Sequence, residues 1–129
     1  MKLVRYEEVE SRPVREEGAR DVAVRWLIGP EDGAPTFYMR RFELRAGGCT
    51  PRHAHAWEHE VYVLEGAGAV WHAGAERRLC AGDVVYMPPD EEHCFIAGQQ
   101  GLSFLCLIPR EGQCGGSCGT KRQQAAALP

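Results

Sequence analysis

The chain lacks several features that would place it in a broad functional class. It contains no run of about 18 apolar residues, so no segment is expected to span a membrane. Its first residues lack the apolar stretch of a signal peptide, which favours the cytoplasm. Its 15 Lys and Arg residues are outnumbered by 18 Asp and Glu residues, and the net charge is −3. Neither nucleic acid nor an anionic membrane is therefore expected as a partner.

The sequence also lacks the apolar period of an amphipathic helix. Its Val, Ile, Leu and aromatic residues occur in short runs that Gly and Pro separate. Such runs, at spacings of roughly 8–12 residues, are typical of a sandwich or barrel. We predict one all-β domain with strands at residues 21–28, 36–44, 60–65, 68–72, 84–87, 93–97 and 102–108.

A chain of 129 residues is long enough for one such domain but not for two. We expect an N-terminal segment at residues 1–20, a barrel at residues 21–110 and a mobile tail at residues 111–129. The N-terminal segment is a candidate edge strand for pairing with another subunit, so we expect a homodimer. In the tail, Cys114 and Cys118 could hold a soft metal ion, form a labile disulfide or have no role.

Histidine is scarce, and its distribution is therefore informative. There are five histidines, and three of them lie close together in the sequence. His53 and His55 are two positions apart, so on a strand their rings lie on one face. His59 has the same parity, but four extended residues span about 13 Å. The chain must therefore bend near Ala56 and Trp57 if the three rings are to meet.

A fourth histidine is expected to join this group from a separate strand. It follows the turn Pro88-Pro89-Asp90. Imidazole is the commonest neutral metal ligand near pH 7. We predict that one metal ion binds four histidines, which are His53, His55, His59 and His93.

Other interpretations of these residues are weaker. The run His55-Ala-Trp-Glu-His59 also fits the metal-binding pattern of some helical zinc proteases. That pattern requires a helix, which the preceding Pro51 and the β-branched residues that follow disfavour. By strand alternation, Glu60 is expected to point away from His59. His72 is given no role.

The sequence around the histidines resembles the two motifs of the cupins, which are small double-stranded β-helix or jelly-roll barrels. In the first motif, glycines flank His-x-His and an acidic residue. In this sequence His59 occupies the position of that acidic residue. In the second, Asp90 and Ala97 replace the final Gly and Asn. The resemblance covers roughly residues 20–110. The matching residues are Gly47, His53, His55, Gly66, Gly82, Pro88 and His93.

Residues 57–66 and 104–109 look more narrowly like small single-domain bacterial cupins with a four-histidine manganese site, in which oxidative cleavage of styrene-type alkenes is described. This resemblance implies one divalent transition metal per chain. Mn²⁺ or Fe²⁺ is favoured, and Zn²⁺, Ni²⁺ or Cu²⁺ would also bind such nitrogens. It implies a dioxygenase-type oxidoreductase that oxidises a small aromatic or alkene-type molecule with dioxygen or peroxide. A metal-dependent isomerase or lyase and a non-catalytic small-molecule-binding barrel remain alternatives.

Strand alternation also predicts a pocket beside the metal. On the last strand, Phe104, Cys106 and Ile108 share one face, which we expect to point inward. The thiol of Cys106 is then near the metal, and we expect it to be oxidised more readily than Cys80 and Cys94, which we expect to be buried. The predicted pocket residues are Arg40, Trp57, Phe95, Phe104, Cys106 and Ile108.

Arg40 is the polar member of this set. It interrupts an otherwise apolar alternation of Tyr38, Phe42 and Leu44. We expect its side chain to enter the cavity and contact an anionic group. A largely apolar pocket with one or two polar groups suits a small aromatic or acidic substrate.

Overall fold

The structure is a computed structural model that describes residues 1–111, and its regular elements are mainly strands. Two short 3-10 helices occur at Tyr6–Glu8 and Pro30–Asp32. Within the described residues, no helix is long and apolar enough to cross a membrane. The strands are β1 (Arg12–Pro13), β2 (Arg20–Ile28), β3 (Phe37–Cys49), β4 (His59–His72), β5 (Ala75–Cys80), β6 (Val84–Met87) and β7 (His93–Pro109).

The two longest strands, β4 and β7, form the centre of the sheet. They pair antiparallel from the start of one to the end of the other. On the far side of β7 the order is β3, β2 and β1. On the far side of β4, β6 pairs with its first residues and β5 with its last. The prediction of a single-domain, all-β jelly-roll barrel is confirmed. The predicted tail lies outside the described residues, apart from Glu111, and so do Cys114 and Cys118.

Both central strands continue through a glycine that the sequence suggested as a strand end. Gly66 and Gly101 have positive φ angles of 83° and 81°. A Cβ atom on Gly66 would collide with the carbonyl group of Gly101. Glycine tolerates this conformation and close approach, and the pairing of β4 with β7 shifts register there. The strands therefore bend instead of ending, and each pair of short strands predicted here is one long strand.

Strand β5, which the sequence pattern does not predict, forms a hairpin with the end of β4. Ala73 and Gly74 make its two-residue turn, with φ angles of 53° and 82°. Two consecutive positive φ angles are the signature of a type I′ hairpin turn. Within β5, Leu79 is buried, whereas Arg77 and Arg78 are exposed. An edge strand with one buried residue carries too little alternation to be recognised from sequence.

The N-terminal segment packs against its own chain. Its strand β1 pairs with β2, and the backbone N–H of Val14 donates a hydrogen bond to the carbonyl of Val22 at 2.9 Å. The expected edge strand is therefore present, and within this chain its partner is β2. The homodimer stays a prediction.

Alternate residues in the second half of β7 face the core. Phe104, Cys106 and Ile108 are 1%, 3% and 0% exposed. This confirms that their shared face points inward. Cys94 is also buried, but Cys80 is exposed. The expectation of a buried Cys80 is wrong, because this residue ends the edge strand β5 and faces outward.

Candidate metal centre and cavity

The four histidines reach one place from two strands and a loop. His59 is the first residue of β4, and His93 is the first residue of β7. His53 lies opposite His93, and two backbone hydrogen bonds of 3.0 and 3.1 Å join them. The carbonyl of His55 accepts a hydrogen bond of 2.6 Å from the backbone N–H of Asp90. The expected bend between His55 and His59 is present, and the segment forms no helix.

The imidazole rings of these residues are neighbours. Measured centroid separations run from 4.1 Å, between His53 and His55, to 6.3 Å, between His55 and His93. His59 lies 5.0 Å from His93 and 5.3 Å from His55. In residues 1–111, no three His, Cys, Asp or Glu side chains are oriented as a complete set of metal ligands. The backbone therefore brings the four rings together. Two of the ring nitrogens, Nε2 of His53 and Nε2 of His55, face each other at 3.2 Å.

Contacts around two of the rings leave a nitrogen for a ligand. Nδ1 of His93 donates a hydrogen bond of 2.8 Å to the carbonyl of Glu91, which leaves the lone pair on Nε2. Nδ1 of His59 lies 3.3 Å from Sγ of Cys106, and its Nε2 is buried without a hydrogen-bond partner. A buried polar nitrogen without a partner is destabilising. Coordination to a cation would satisfy it, so these residues fit a divalent transition metal.

Burial keeps the rings neutral. Burial, with smaller contributions from neighbouring histidines and Arg40, lowers the pKa of His53 to about 4 and that of His55 to about 3. The pKa of His59 lies well below its usual value because the ring is buried and Arg40 is close. Burial lowers the pKa of His93 as well. Neutral imidazole is the form that coordinates a metal.

The histidines face a cavity of about 230 Å³ whose walls are largely aromatic. The rings of Phe95 and Phe104 lie 4.6 Å apart, and Phe42 stacks on Phe104 at 5.3 Å. The ring of Trp57 stacks on that of His55 at 4.5 Å, with 7° between their planes. Aromatic walls and a polar floor are the usual composition of a small-molecule site.

The structure brings most of the predicted pocket residues to this cavity. Those that line it are Arg40, Trp57, Phe95, Phe104 and Cys106. Ile108 does not line the cavity and packs in the hydrophobic core instead. It was expected in the pocket because strand alternation predicts an inward side chain but does not distinguish core from cavity.

One wall of the cavity was not predicted. Val14, Arg15 and Glu16 follow β1 and line the cavity mouth, as does Trp26 on β2. A carboxylate oxygen of Glu16 lies 3.8 Å from Nδ1 of His53. The first twenty residues carry no apolar alternation that signals this position. It depends on the pairing of β1 with β2.

Glu60 and His72 are absent from the described lining of the cavity. Burial and the neighbouring Glu58 raise the pKa of Glu60 to about 7. His72 instead contacts the carboxylate of Glu91 at 2.6 Å through its Nε2.

Comparison with known proteins agrees with this architecture. Residues 40–108 match the family described as Cupin domain. The chain is 38% identical to the polyketide cyclase RemF from Streptomyces resistomycificus. The two structures align with a TM-score of 0.81 over 85% of this chain and 80% of that chain. An all-β barrel with histidines facing a central cavity is the class that these observations define. The chain belongs to the cupin family.

Two curated relatives extend the comparison. The chain is 34% identical over 84 residues to dimethylsulfoniopropionate lyase DddW from Ruegeria pomeroyi. The aligned region covers 63% of this chain and 55% of the relative. Over 110 residues, it is 29% identical to 1-methylthio-D-xylulose 5-phosphate methylsulfurylase from Rhodospirillum rubrum, which covers 84% of this chain and 66% of the relative. The chain therefore matches less than two thirds of the length of each.

Proposed function

We propose that this cupin is a metal-dependent lyase or cyclase that acts on a small organic molecule without consuming dioxygen. The observation that carries the metal dependence is the buried Nε2 of His59, which has no hydrogen-bond partner and lies beside the imidazoles of His55 and His93. The metal-dependent lyase was one of the alternatives left by the sequence. It is preferred here to the oxidation that the narrower resemblance implied.

The histidines would hold one divalent ion at the cavity wall. The ligands would be His53, His55, His59 and His93. When bound, such an ion supplies Lewis acidity at a substrate oxygen atom. Because all four ligands are neutral, the protein would leave the charge of the ion uncompensated, which favours an oxygen that carries negative charge. The identity of the ion is open among Mn²⁺, Fe²⁺, Zn²⁺, Ni²⁺ and Cu²⁺, since each binds imidazole.

Side chains of the cavity supply the remaining requirements of an elimination or cyclisation. Glu16 provides a carboxylate at the cavity mouth that can accept a proton from a substrate carbon. In an elimination, the C–H electron pair forms the new double bond and the leaving group departs with its own bonding pair. In a cyclisation, the C–H electron pair attacks a carbonyl carbon, the π pair of the carbonyl moves onto its oxygen, and that oxygen takes the proton back from Glu16. Trp57, Phe95 and Phe104 would position a flat substrate and exclude water from it.

The named relatives support a reaction without an external oxidant. The polyketide cyclase RemF and the dimethylsulfoniopropionate lyase DddW carry out a cyclisation and a bond cleavage, as their names state. The third relative is named a methylsulfurylase. An oxidation is not named among these three proteins. Their activities come to this chain only as candidates, because the matched lengths differ and substrates are set by cavity side chains.

The proposal is tested with full-length protein loaded in turn with Mn²⁺, Fe²⁺ and Zn²⁺. Dimethylsulfoniopropionate and a linear β-polyketone acid serve as candidate substrates, with and without dioxygen. Equal product formation in both atmospheres, its loss in His59→Ala and its retention in Glu60→Gln are expected. Turnover that consumes dioxygen and stops under nitrogen would contradict the proposal. So would a His59→Ala variant as active as the native chain.

A further inference from the structure

Arg40 is a cation in the cavity that lacks an anionic partner. Its side chain lines the cavity, and its Nε is buried without a hydrogen-bond partner. In residues 1–111 it forms no ion pair with a carboxylate, in contrast to Arg25 and Arg41, which contact Glu43 at 3.1 and 2.7 Å. Arg40 is half-buried, and a charge withdrawn from water is destabilising unless it is paired. Its position therefore calls for an anion that the described chain does not provide.

The guanidinium group of Arg40 is held in place by its neighbours. Its central carbon lies 5.4 Å from the ring centroid of Trp26 and 4.8 Å from that of Phe42. One terminal nitrogen donates to Sγ of Cys106 at 3.2 Å. Rings on which a guanidinium rests orient it without neutralising its charge. Within residues 1–111 the guanidinium has no further hydrogen bond, so its donors on the cavity side remain for a ligand.

The same sulfur atom connects this cation to the histidines. Sγ of Cys106 contacts Arg40 at 3.2 Å and Nδ1 of His59 at 3.3 Å. An anionic group bound to Arg40 therefore lies close to the histidine cluster, with the aromatic walls beside it. Among the side chains named at the cavity mouth, Glu16 and Arg15 have opposite charges, so Arg40 leaves the cavity with excess positive charge.

We propose that Arg40 binds the carboxylate of the substrate, which is a small, flat organic acid. This inference rests on the proposed function and narrows its substrate class. The carboxylate accepts hydrogen bonds from the guanidinium, whose fork matches its two oxygens. The apolar body lies between Phe95, Phe104 and Trp57. The reactive carbons are then presented to the histidine side of the cavity.

The test compares binding of trans-cinnamate with that of its neutral amide, trans-cinnamamide, by calorimetry at pH 7. Full-length protein is used both metal-loaded and after chelation. We expect the native chain to prefer the acid by about tenfold or more, the size of a charge-assisted hydrogen bond. Arg40→Met should abolish this preference but keep the affinity for the amide. Arg40→Lys, which keeps the charge but not the fork, should retain part of it.

Arg45→Met is the matched control, because Arg45 is exposed on the same strand and lies away from the cavity. It removes the same charge and should keep the preference for the acid. The inference is overturned if chelated native protein has no preference, if Arg40→Met keeps it, or if Arg45→Met loses it equally. Because the preference is measured without metal, native protein that binds metal but does not prefer the acid refutes the role of Arg40 alone. Native protein that prefers the acid but binds no metal refutes the metal centre alone.

Discussion

Sγ of Cys106 lies 3.3 Å from Nδ1 of His59, while Nε2 of the same ring has no hydrogen-bond partner. The pairing of β4 with β7 fixes this contact, because Cys106 lies opposite Val61, two residues beyond His59. A partner on one ring nitrogen sets the tautomer and orientation of the other. Cys106 is therefore a positioning residue for His59.

Cys106→Ala is expected to lower metal affinity about tenfold, the lower end for loss of a contact behind a metal ligand. Cys106→Ser keeps a hydrogen-bonding atom and should lose less. Cys94→Ala is the control, because Cys94 is buried but absent from the cavity lining. Metal titration by calorimetry measures all three variants. Equal affinities in Cys106→Ala and Cys94→Ala would contradict a positioning role.

Chelation is expected to leave the barrel folded. The core around fully buried Val63, Leu102, Phe104 and Ile108 is continuous without any metal contact. Bound metal adds stability by mass action, about 4 kcal/mol at a thousandfold excess over its dissociation constant. Circular dichroism should therefore retain its β-sheet signal after chelation, with a lower melting temperature. Loss of that signal at room temperature would show that the metal is required for folding.

The stability of metal-free protein is expected to fall in mild acid. In the unfolded chain a histidine titrates near pH 6.5, whereas burial lowers the pKa of His53 to about 4 and that of His55 to about 3. Between these values the unfolded state binds more protons than the folded state. The free energy of unfolding therefore has its full value above pH 6.5 and decreases as the pH falls toward 4. The slope is at most about 1.4 kcal/mol per pH unit for each ring.

Urea unfolding at a series of pH values measures this slope. Glu60→Gln is the appropriate background, because the raised pKa of Glu60 gives the opposite slope, with stability lost as the pH rises toward 7. A His55→Gln variant in that background should show a shallower acid slope. Identical slopes with and without His55 would contradict the assignment of this acid sensitivity to the buried rings.

Much of this arrangement follows from the sequence, and the rest depends on tertiary contacts. The distance between His55 and His59 requires a bend, and alternation on β7 predicts the inward face of Phe104. Gly66 has the sequence signature of a strand end, because sequence alone does not distinguish a break from a bulge. The position of Glu16 at the cavity mouth depends on the pairing of β1 with β2. Short edge strands leave little pattern in a sequence.

The exposed position of Cys80 reverses the expected order of cysteine reactivity. Burial raises the pKa of the Cys106 thiol, which suppresses its reactive thiolate form. Iodoacetamide is expected to alkylate Cys80 in the folded protein and to modify Cys94 and Cys106 only after unfolding. Peptide mass mapping follows each cysteine separately. Early modification of Cys106 in folded protein would mean that the cavity opens widely enough to expose its floor.

The central claim is that the four histidines hold one metal ion, and metal content per chain tests it most directly. Full-length native protein, His59→Ala, His93→Ala and Glu60→Gln are each loaded with Zn²⁺ or Mn²⁺, desalted and analysed by mass spectrometry. The account predicts about one ion per chain in the native protein and in Glu60→Gln, because Glu60 does not line the cavity that the rings face. It predicts much less retained metal in either histidine variant, because loss of a ligand lowers the affinity by about tenfold or more. Equal metal content in all four proteins, or loss of metal only in Glu60→Gln, would contradict it.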